Sequence, residues 1–376
     1  MMMKRYRAIS LLAAAAWTAL ALLPAAAADL TVYFGTHTAG PGKGFSVSHF
    51  DTVTGALSKP QFLLETPAPA YYVIAPGGHR LYSCNSTGFV SAYSIDPATA
   101  QLKLINQKPS GGGDPSYISL DRTGHYVLVA NYESGNVAVW ALDPDGSLGE
   151  RTAFVQHADS GVNPQGQLQA HAHSIRVDPS NRFALAGDTG LDKLFVYKFN
   201  VKDGSLTPND PPFVTAAPGA NPRHVAFHPN GRWLYVLTEA GSTIMLFNWD
   251  TQRGALSEVQ TVSTLPKDFQ GKSACAEIQV HPSGKFVYAS NRGRDSIAVF
   301  SVDAKTGRLT LIQDVPSGGK TPRNFDMDPS ARWLLVTNHD SNTAMVFRID
   351  QQTGKLTPTG QPVDVPSPYC PRFLAR

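Results

Sequence analysis

One short pattern recurs seven times along this 376-residue chain and constrains its fold more than any other feature. Each copy is a polar stretch that ends in a small residue or two and a leucine, and β-type sequence follows it. The seven leucines are Leu57, Leu102, Leu148, Leu206, Leu256, Leu309 and Leu356. A spacing of roughly 50 residues over the whole chain is typical of one supersecondary unit repeated many times.

The segment before each leucine predicts two further strands. From Pro115 to Asn131 an apolar strand meets an Asp/Gly-type turn, and a second apolar strand follows. The same layout recurs at Pro69 to Asn85, Ala172 to Asp188, Pro222 to Glu239, Cys275 to Arg292 and Pro322 to His339. A third strand, such as 136–140, and a fourth after the leucine complete each repeat. Four strands in about 50 residues, with almost no helical periodicity, predict a propeller blade.

The two ends of the repeat region complement each other. Leu30 to His37 matches the second strand of a blade, and Tyr369 to Leu374 matches a first strand. We therefore predict an all-β fold, a seven-bladed β-propeller of four-stranded antiparallel blades. The ring closes through N- and C-terminal strands that share one blade, which pairs strand edges that would otherwise stay open. Residues 29–376 are predicted to form this single domain.

Residues 1–28 are predicted to be a signal peptide. A basic start with Lys4, Arg5 and Arg7 precedes an apolar run from Ile9 to Leu23, and alanines at 26–28 provide a cleavage site. This predicts a periplasmic or secreted protein. The alternative is an uncleaved anchor, since the run is only somewhat shorter than the roughly 20 residues that a bilayer needs. No membrane span is predicted in the mature chain.

The composition excludes several classes of partner. The net charge is only +3, and much of it lies in the predicted signal, so no attraction to nucleic acid or anionic membrane is expected.

Cys84, Cys275 and Cys370 are an odd number at unrelated spacings, which excludes a disulfide framework and a zinc motif. One disulfide with a spare thiol and three buried thiols both remain open. No cofactor is predicted, and the sequence does not indicate an oligomeric state.

Equivalent positions of the inner strands should form rings around the axial channel. An alignment on the turn residues gives three columns that are rich in ionisable groups. The first column is Ala70, Ser116, His173, Arg223, Ala276, Arg323 and Arg372. The second is Tyr71, Tyr117, Ser174, His224, Glu277, Asn324 and Phe373. The third, at the end of the second strands, is His37, Ser86, Tyr132, Thr189, Glu239, Arg292 and His339.

Buried charges are unfavourable unless they are paired or bound to a ligand. The columns therefore predict a site for an anionic or carbonyl-bearing ligand, and the alternative is a solvated channel whose polar residues pair with one another.

No Gly-x-Ser-x-Gly elbow and no phosphate-binding glycine loop occurs. His171 and His173 have no obvious third metal ligand, so no metal site is predicted. The loop from His157 to Gln169 is expected at the surface, over one mouth of the channel.

Other polar and aromatic residues near the turns have structural interpretations. Trp233 and Trp333 are expected to pack between blades. Four residues at turn positions are expected at the surface: Asp178, His228, His281 and Asp328.

Five segments together resemble the seven-bladed propeller lactonase family, which includes 6-phosphogluconolactonases and carboxy-cis,cis-muconate cyclases. They are Val32 to Thr38, Ala170 to Ser174, Asn221 to His224, Leu237 to Gly241 and Ser290 to Gly293. The resemblance covers essentially the whole mature chain. It implies that the catalytic groups are His173, Arg223, Glu239 and Arg292.

The resemblance implies an exported lactonase that opens a sugar-acid or related lactone, similar to 6-phosphogluconolactone, to the hydroxy acid. Arg223 or Arg292 is expected to stabilise the oxyanion. Glu239 or His173 is expected to accept a proton from water, and the other to protonate the leaving oxygen. The expected substrate-binding residues are His171, His224, Glu277, Asn291, Arg323, Asn324 and Arg372.

Arg323, Arg372 and His224 are the groups expected to hold a phosphate or carboxylate. A phosphorylated sugar lactone is scarce outside the cytoplasm, which favours an unphosphorylated substrate for an exported enzyme. The competing hypothesis is a non-catalytic exported propeller that binds a protein, glycan or cell-wall ligand.

Overall fold

The computed structural model of the protein describes residues 29–36, 44–157 and 169–375. The predicted signal, His37 and most of the predicted loop between His157 and Gln169 lie outside these ranges. Every regular element of the described residues is a β-strand, and the strands form seven antiparallel sheets of four. The prediction of seven four-stranded blades is therefore confirmed. None of these residues belongs to a helix that is long and apolar enough to cross a membrane.

The strands are numbered in chain order, and blades one to seven follow the order below. The inner strands are β4 (Pro69–Ile74), β8 (Pro115–Leu120), β12 (Ala172–Val177), β16 (Pro222–Phe227), β20 (Ala274–Val280), β24 (Pro322–Met327) and β28 (Pro368–Leu374). The second strands are β5 (Arg80–Asn85), β9 (Tyr126–Asn131), β13 (Phe183–Asp188), β17 (Trp233–Thr238), β21 (Phe286–Arg292), β25 (Trp333–Asn338) and β1 (Asp29–Thr36).

The third strands are β6 (Phe89–Ile95), β10 (Asn136–Leu142), β14 (Lys193–Asn200), β18 (Thr243–Asp250), β22 (Ser296–Val302), β26 (Thr343–Ile349) and β2 (Gly44–Asp51). The outer strands are β7 (Leu102–Pro109), β11 (Leu148–Gln156), β15 (Ser205–Thr215), β19 (Ala255–Ser263), β23 (Leu309–Pro316), β27 (Leu356–Asp364) and β3 (Gln61–Glu65).

Blade seven joins the two ends of the described chain. Strand β1 pairs with β2 and with β28, so that Tyr33 lies opposite both Val47 and Arg372. The hydroxyl of Tyr72 in blade one donates to the carbonyl oxygens of Tyr33 and Cys370, at 2.6 and 3.2 Å. The shared blade is as predicted, and blade one is tied to the inner strand and the second strand of blade seven.

The apolar core lies between neighbouring blades. Strand β9 is buried along its whole length, because each sheet packs on both faces against another blade. The interior of the ring is left to the ends of the inner and second strands, where the polar residues lie.

The glycine that precedes six of the seven leucines, with Ala100 in its place before Leu102, belongs to a joint between blades. Gly307 has a φ of 74°, and a Cβ there would lie 2.5 Å from the ring of Trp233 in the preceding blade. Tyr235 of that blade donates to the carbonyl oxygen of Gly307, at 2.9 Å. Gly55 meets Trp333 in the same way. The expectation that both tryptophans pack between blades is confirmed, and the pattern recurs because every joint is built alike.

The expectation that four turn residues lie at the surface is wrong. Nε2 of His228 contacts the carbonyl oxygen of Gly284, at 2.8 Å, and Nε2 of His281 contacts that of Ala331, at 3.1 Å. Asp178 and Asp328 are also buried and accept backbone hydrogen bonds within their turns. These turns are covered because each packs against a neighbouring blade.

The three cysteines are buried free thiols. Burial is the main cause that raises their pKa, to about 11 for Cys275 and about 12 for Cys370. The structure therefore favours three buried thiols over a disulfide.

Candidate active site

The ionisable ring begins at a bulge that recurs near the start of the inner strands. In blades three, four and six the register shifts at His173, Arg223 and Arg323, each of which follows the first residue of its strand. A β-bulge redirects a side chain. Here the bulged side chains are directed to the end of the channel where the inner strands begin. The second strands end at this same mouth, which we call the N-terminal mouth. It brings the first and third predicted columns together.

The alignment of blade seven needs a correction. Its register shift falls at Tyr369, and Arg372 lies opposite Tyr33, so Arg372 occupies the position of Asp326 in blade six. Tyr369 and Cys370 therefore belong in the two columns where Arg372 and Phe373 were predicted. The alignment failed because it was anchored on turns, and no turn follows the last strand.

Glu239 links two arginines at the N-terminal mouth. Its Oε2 lies 2.9 Å from Nε of Arg223, and its Oε1 lies 2.8 Å from Nη2 of Arg292. Arg292 also donates from Nη2 to the carbonyl oxygen of Cys275, at 2.8 Å. Arg223 donates to the carbonyl oxygen of Ala276. Both guanidinium groups are thus held in place by the carboxylate and by the inner strand of blade five.

The charges of this trio decide its protonation. Burial favours the neutral form of Glu239, but the positive charges of Arg223 and Arg292 outweigh it and lower the pKa of the carboxyl. Burial lowers the pKa of Arg223 to about 10, with Glu239 acting in the opposite direction. Glu239 and Arg223 are therefore charged at neutral pH, and Glu239 is a weak proton acceptor.

His173 is the neutral partner of these charges. Its side chain is buried, with ring contacts to His224 at 5.2 Å and to Tyr132 at 5.6 Å. Its Nδ1 has no hydrogen-bond partner within the described chain. Burial first, and then the charge of Arg223, lower the pKa of His173 well below its usual range. The imidazole is therefore neutral at pH 7 and available to accept a proton.

Arg323 is the unpaired cation of the N-terminal mouth. Its guanidinium lies over the ring of Tyr369, 4.2 Å from the centroid. Within the described ranges no carboxylate oxygen lies within 4.0 Å of it, and its Nε is buried without a hydrogen-bond partner. An arginine left in this state is suited to an anionic group of a ligand.

The second column forms a layer beneath the mouth. Nη1 of Arg223 lies 3.3 Å from Nε2 of His224, and Nδ1 of His224 lies 3.1 Å from Oε1 of Glu277. Arginine has no acceptor, so Nε2 of His224 accepts and Nδ1 holds the proton that faces Glu277. Asn324 donates to Oε2 of Glu277 and accepts from Arg372, at 3.0 Å. His224, Glu277 and Asn324 thus support the site from below, and Arg372 lies deeper still.

Asn291 and His171, two of the predicted substrate-binding residues, do not reach the centre of the Arg223–Glu239–Arg292 cluster. Asn291 is buried, and its amide donates to the carbonyl oxygen of Thr264, at 3.1 Å, and accepts from the hydroxyl of Thr264, at 2.7 Å. Equivalent asparagines in other blades make similar contacts, for example Asn338 to the Ser317 carbonyl at 3.0 Å. These contacts give Asn291 a structural role in the blade connection, and its role in substrate binding stays a prediction.

His171 lies at the rim. Its ring stacks on Tyr132 at 4.6 Å and its Nδ1 donates to the Tyr132 carbonyl at 3.0 Å. No cluster of three or more His, Cys, Asp or Glu side chains suited to a metal ion occurs in the ranges that the structure describes.

Two tyrosines of the site were not among the predicted catalytic or substrate-binding residues. Tyr369 was hidden by the misaligned last blade, although a signal was present: five inner strands, including β28, begin with proline. Counting from that proline places Tyr369 beside Arg323. Tyr132 appeared in a column, but its packing against both His171 and His173 depends on tertiary contacts.

Comparisons with known proteins agree with this architecture. Residues 31–373 match the profile of the family described as "Lactonase, 7-bladed beta-propeller". The chain belongs to the seven-bladed β-propeller lactonase family. The 6-phosphogluconolactonase of Bacillus subtilis (strain 168) is 36% identical over 345 residues, which are 91% of this chain and 97% of that protein. A 6-phosphogluconolactonase of Formosa agariphila is 32% identical over 301 residues, 77% of this chain and 83% of that protein.

Solved structures of this lactonase family have the same fold. The structure of the periplasmic gluconolactonase of Pseudomonas aeruginosa is similar with a TM-score of 0.88 and 33% identity, and covers 93% of this chain and 99% of that one. The similarity extends over all seven blades. The cluster around Glu239 therefore lies well inside the region that this lactonase chain shares with its relatives.

Proposed function

We propose that the protein is an exported lactonase that hydrolyses a sugar-acid lactone to the open hydroxy acid at the N-terminal mouth. The observation that supports this most directly is the neutral, buried His173 beside the Arg223–Glu239–Arg292 cluster. Lactone hydrolysis needs a proton acceptor for water and fixed positive charge for the oxyanion, and this mouth provides both.

His173 is the proton acceptor in this mechanism, and Glu239 is not. The two arginines engage both carboxylate oxygens of Glu239, whereas Nδ1 of His173 has no hydrogen-bond partner among the described residues and is free to take up a proton. Water attacks the lactone carbonyl carbon, and a ring nitrogen of His173 takes the proton that water loses. The C–O bond to the ring oxygen then breaks, and histidinium returns the proton to that oxygen, so the product is the hydroxy acid.

Arg223 and Arg292 stabilise the oxyanion on the former carbonyl oxygen. Their guanidinium groups are held by Glu239 and by backbone carbonyls before substrate arrives, so little reorganisation is needed during the reaction. The electrostatic contribution is large when the donors are fixed in this way.

The substrate class follows from Arg323 and from the predicted signal. Arg323 is positioned for a hydroxyl or an anionic group of the sugar acid. The signal-like residues 1–28 and the structural similarity to a periplasmic gluconolactonase favour an unphosphorylated aldonolactone. A phosphorylated lactone would instead depend strongly on Arg323.

A pH-stat assay of the purified chain tests the proposal with gluconolactone, 6-phosphogluconolactone and muconolactone, with and without chelator. We expect gluconolactone to be opened faster than in buffer and His173→Asn to lose that acceleration. His79→Asn is the matched control, because His79 is exposed and far from the cluster in sequence and blade. If folded protein accelerates none of the three lactones, the non-catalytic binding propeller is the better hypothesis.

Arg323→Met decides the phosphate question. A rise in KM for 6-phosphogluconolactone that far exceeds the rise for gluconolactone would indicate that Arg323 holds a phosphate. Equal effects on both lactones would support the unphosphorylated substrate.

A further inference from the structure

A second cavity occupies the opposite end of the channel, where the inner strands end. We call it the C-terminal mouth. Its volume is about 500 Å³, and residues of six blades line it. Sites for small molecules typically measure about 300 to 1,000 Å³, so the cavity is large enough for a metabolite.

A layer of side chains separates this cavity from the N-terminal mouth. Tyr71 and Tyr117 stack with their ring centroids 4.3 Å apart, and His224 approaches Tyr117 edge-on at 5.0 Å. Glu277 and Asn324 continue the same layer. The C-terminal mouth is therefore a separate space from the one around Glu239.

Two arginines of the C-terminal mouth are held in place without an acidic partner. Arg372 donates from Nη1 to Asn324, at 3.0 Å, and to the Pro371 carbonyl, at 2.7 Å, and lies 5.0 Å from the Tyr71 ring centroid. Arg176 donates from Nη1 to the carbonyl oxygen of Val225, at 3.0 Å. In the part of the chain that the structure describes, no carboxylate oxygen lies within 4.0 Å of either guanidinium.

The two carboxyl groups nearest to these arginines are already engaged. Oε1 of Glu277 accepts from the Ile278 amide, at 2.9 Å, and Oδ2 of Asp326 accepts from the Phe373 amide, at 3.2 Å. Burial is the main cause that raises the pKa of both carboxyl groups and so favours their neutral form.

The remaining charged residues of the lining balance each other. Asp121 accepts hydrogen bonds from the backbone of its own turn, at 2.8 Å from His125 and 2.9 Å from Tyr126. Burial raises its pKa, but these and other hydrogen bonds outweigh burial and lower it, so Asp121 is ionised. The adjacent Arg122 is exposed and carries the opposite charge. With Asp121 and Arg122 opposite in charge, the other two guanidinium groups of the lining are those of Arg176 and Arg372.

Polar groups suited to hydroxyls lie beside the arginines. The Ser119 hydroxyl donates to the Ile175 carbonyl at 2.7 Å, which leaves its oxygen free to accept. The Gln279 amide donates to the Phe325 carbonyl at 2.8 Å, and its carbonyl oxygen is an acceptor for a second hydroxyl.

We propose that the C-terminal mouth is a second binding site and that its ligand is a small hydroxylated carboxylate. Arg372 and Arg176 bind the carboxylate group, and Ser119 and Gln279 accept hydrogen bonds from hydroxyls. The ligand class rests on the proposed function, since opening of a sugar-acid lactone yields an acid of this kind. The geometry of the cavity does not depend on that reaction.

Calorimetric titration with sodium gluconate tests this site. The titration uses the Arg323→Met variant, which removes the contribution of Arg323 to anion binding at the N-terminal mouth. We expect gluconate to bind this variant, and glucose, which lacks the carboxylate, to bind at least about tenfold more weakly. Adding Arg176→Gln should weaken gluconate binding at least about tenfold, with the melting temperature used to verify folding.

Arg372 is not the primary variant, because it packs inside the channel against Asn324 and its loss can disturb folding. No gluconate binding to Arg323→Met, unchanged binding after Arg176→Gln, or equal binding of glucose and gluconate would each overturn the assignment. Lactone turnover is measured separately. If the unsubstituted protein does not turn over lactone but gluconate binding is intact, this result would count against the proposed function and not against this site.

Discussion

Glu239 and Arg223 form an ion pair at the N-terminal mouth, with 2.9 Å between Oε2 and Nε. Arg223 lies at the bulge of the inner strand of blade four, and Glu239 lies just after the second strand of the same blade. Because Arg292 of blade five binds the other carboxylate oxygen, at 2.8 Å, Glu239 fixes two guanidinium groups at once. In the proposed mechanism the site depends on this carboxylate even though His173 is the proton acceptor.

We expect Glu239→Gln to lower kcat by about 100- to 1,000-fold, the range seen when a fixed oxyanion donor is lost. The amide keeps the shape of the carboxylate but no longer holds two cations, so both arginines can reorient. Steady-state kinetics with gluconolactone measure the change. Glu150→Gln is the control, since the side chain of Glu150 is 96% exposed. Equal kcat values for the two variants would contradict the role given to Glu239.

The pH profile tests His173 as the proton acceptor. Burial and Arg223 lower its pKa well below the ordinary value, so the imidazole stays neutral as the pH falls. We expect kcat/KM to remain constant from pH 8 to below about 6.5, the pKa of an unperturbed histidine. The rate is measured in a pH-stat with the spontaneous rate subtracted. An acidic limb centred at or above the ordinary value would refute a depressed pKa for the catalytic base.

Stability should also depend on the two buried histidines. The folded protein keeps His173 and His224 neutral, whereas the unfolded chain protonates both below about pH 6.5. Their contribution is therefore complete above that pH and is lost as the pH falls towards the folded pKa values. We expect the free energy of unfolding to drop by about 1 kcal/mol per histidine over the first pH unit below 6.5.

Urea denaturation at several pH values measures this loss. The double variant His173→Asn/His224→Gln should have a visibly flatter dependence on pH than the parent. If the free energy of unfolding falls equally steeply with pH in the two proteins, other groups cause the loss of stability at low pH.

Gly307→Ala tests the joint between blades. The new methyl group would adopt a φ of 74° and meet the Trp233 ring at 2.5 Å. We expect a destabilisation of about 3 kcal/mol from backbone strain and overpacking together. Gly124→Ala is the matched control, because Gly124 has a φ of 71° and open space around it, and should lose only about 1 kcal/mol. Thermal unfolding compares the two variants, and similar losses would argue against the contact with Trp233.

Asn291→Ala separates a structural role from a role in binding. The substitution leaves the Thr264 carbonyl and hydroxyl without their buried partner, so we expect a loss of about 1 to 3 kcal/mol in stability. The KM for gluconolactone should stay unchanged at a temperature where the variant is folded. A large rise in KM without destabilisation would return Asn291 to the substrate-binding residues.

The sequence predicted the fold in detail because the same local solution is repeated seven times. Each glycine or alanine before the leucine, such as Gly307, has a positive φ and a close neighbour in the preceding blade. A recurring steric demand leaves a recurring pattern, which is visible without coordinates. The alignment of the repeats on their turn residues failed in blade seven, where it placed Arg372 at the level of Arg323. No turn follows the last strand, so the alignment had no reference position there.

The buried turns were missed for a related reason. His228 contacts Gly284 of the next blade, and no feature of a single repeat indicates that its turn is covered. Polarity alone suggested the surface.

The sequence by itself determined the number of blades, the shared closing blade and the group of ionisable columns, because these follow from periodicity along one chain. The tertiary structure decided how those columns combine. It placed Glu239 between two arginines, left His173 neutral, and moved Arg372 from the N-terminal mouth towards the C-terminal one. Protonation and ligand chemistry depend on distances between side chains of different blades and on their burial, and a one-dimensional pattern does not contain those distances.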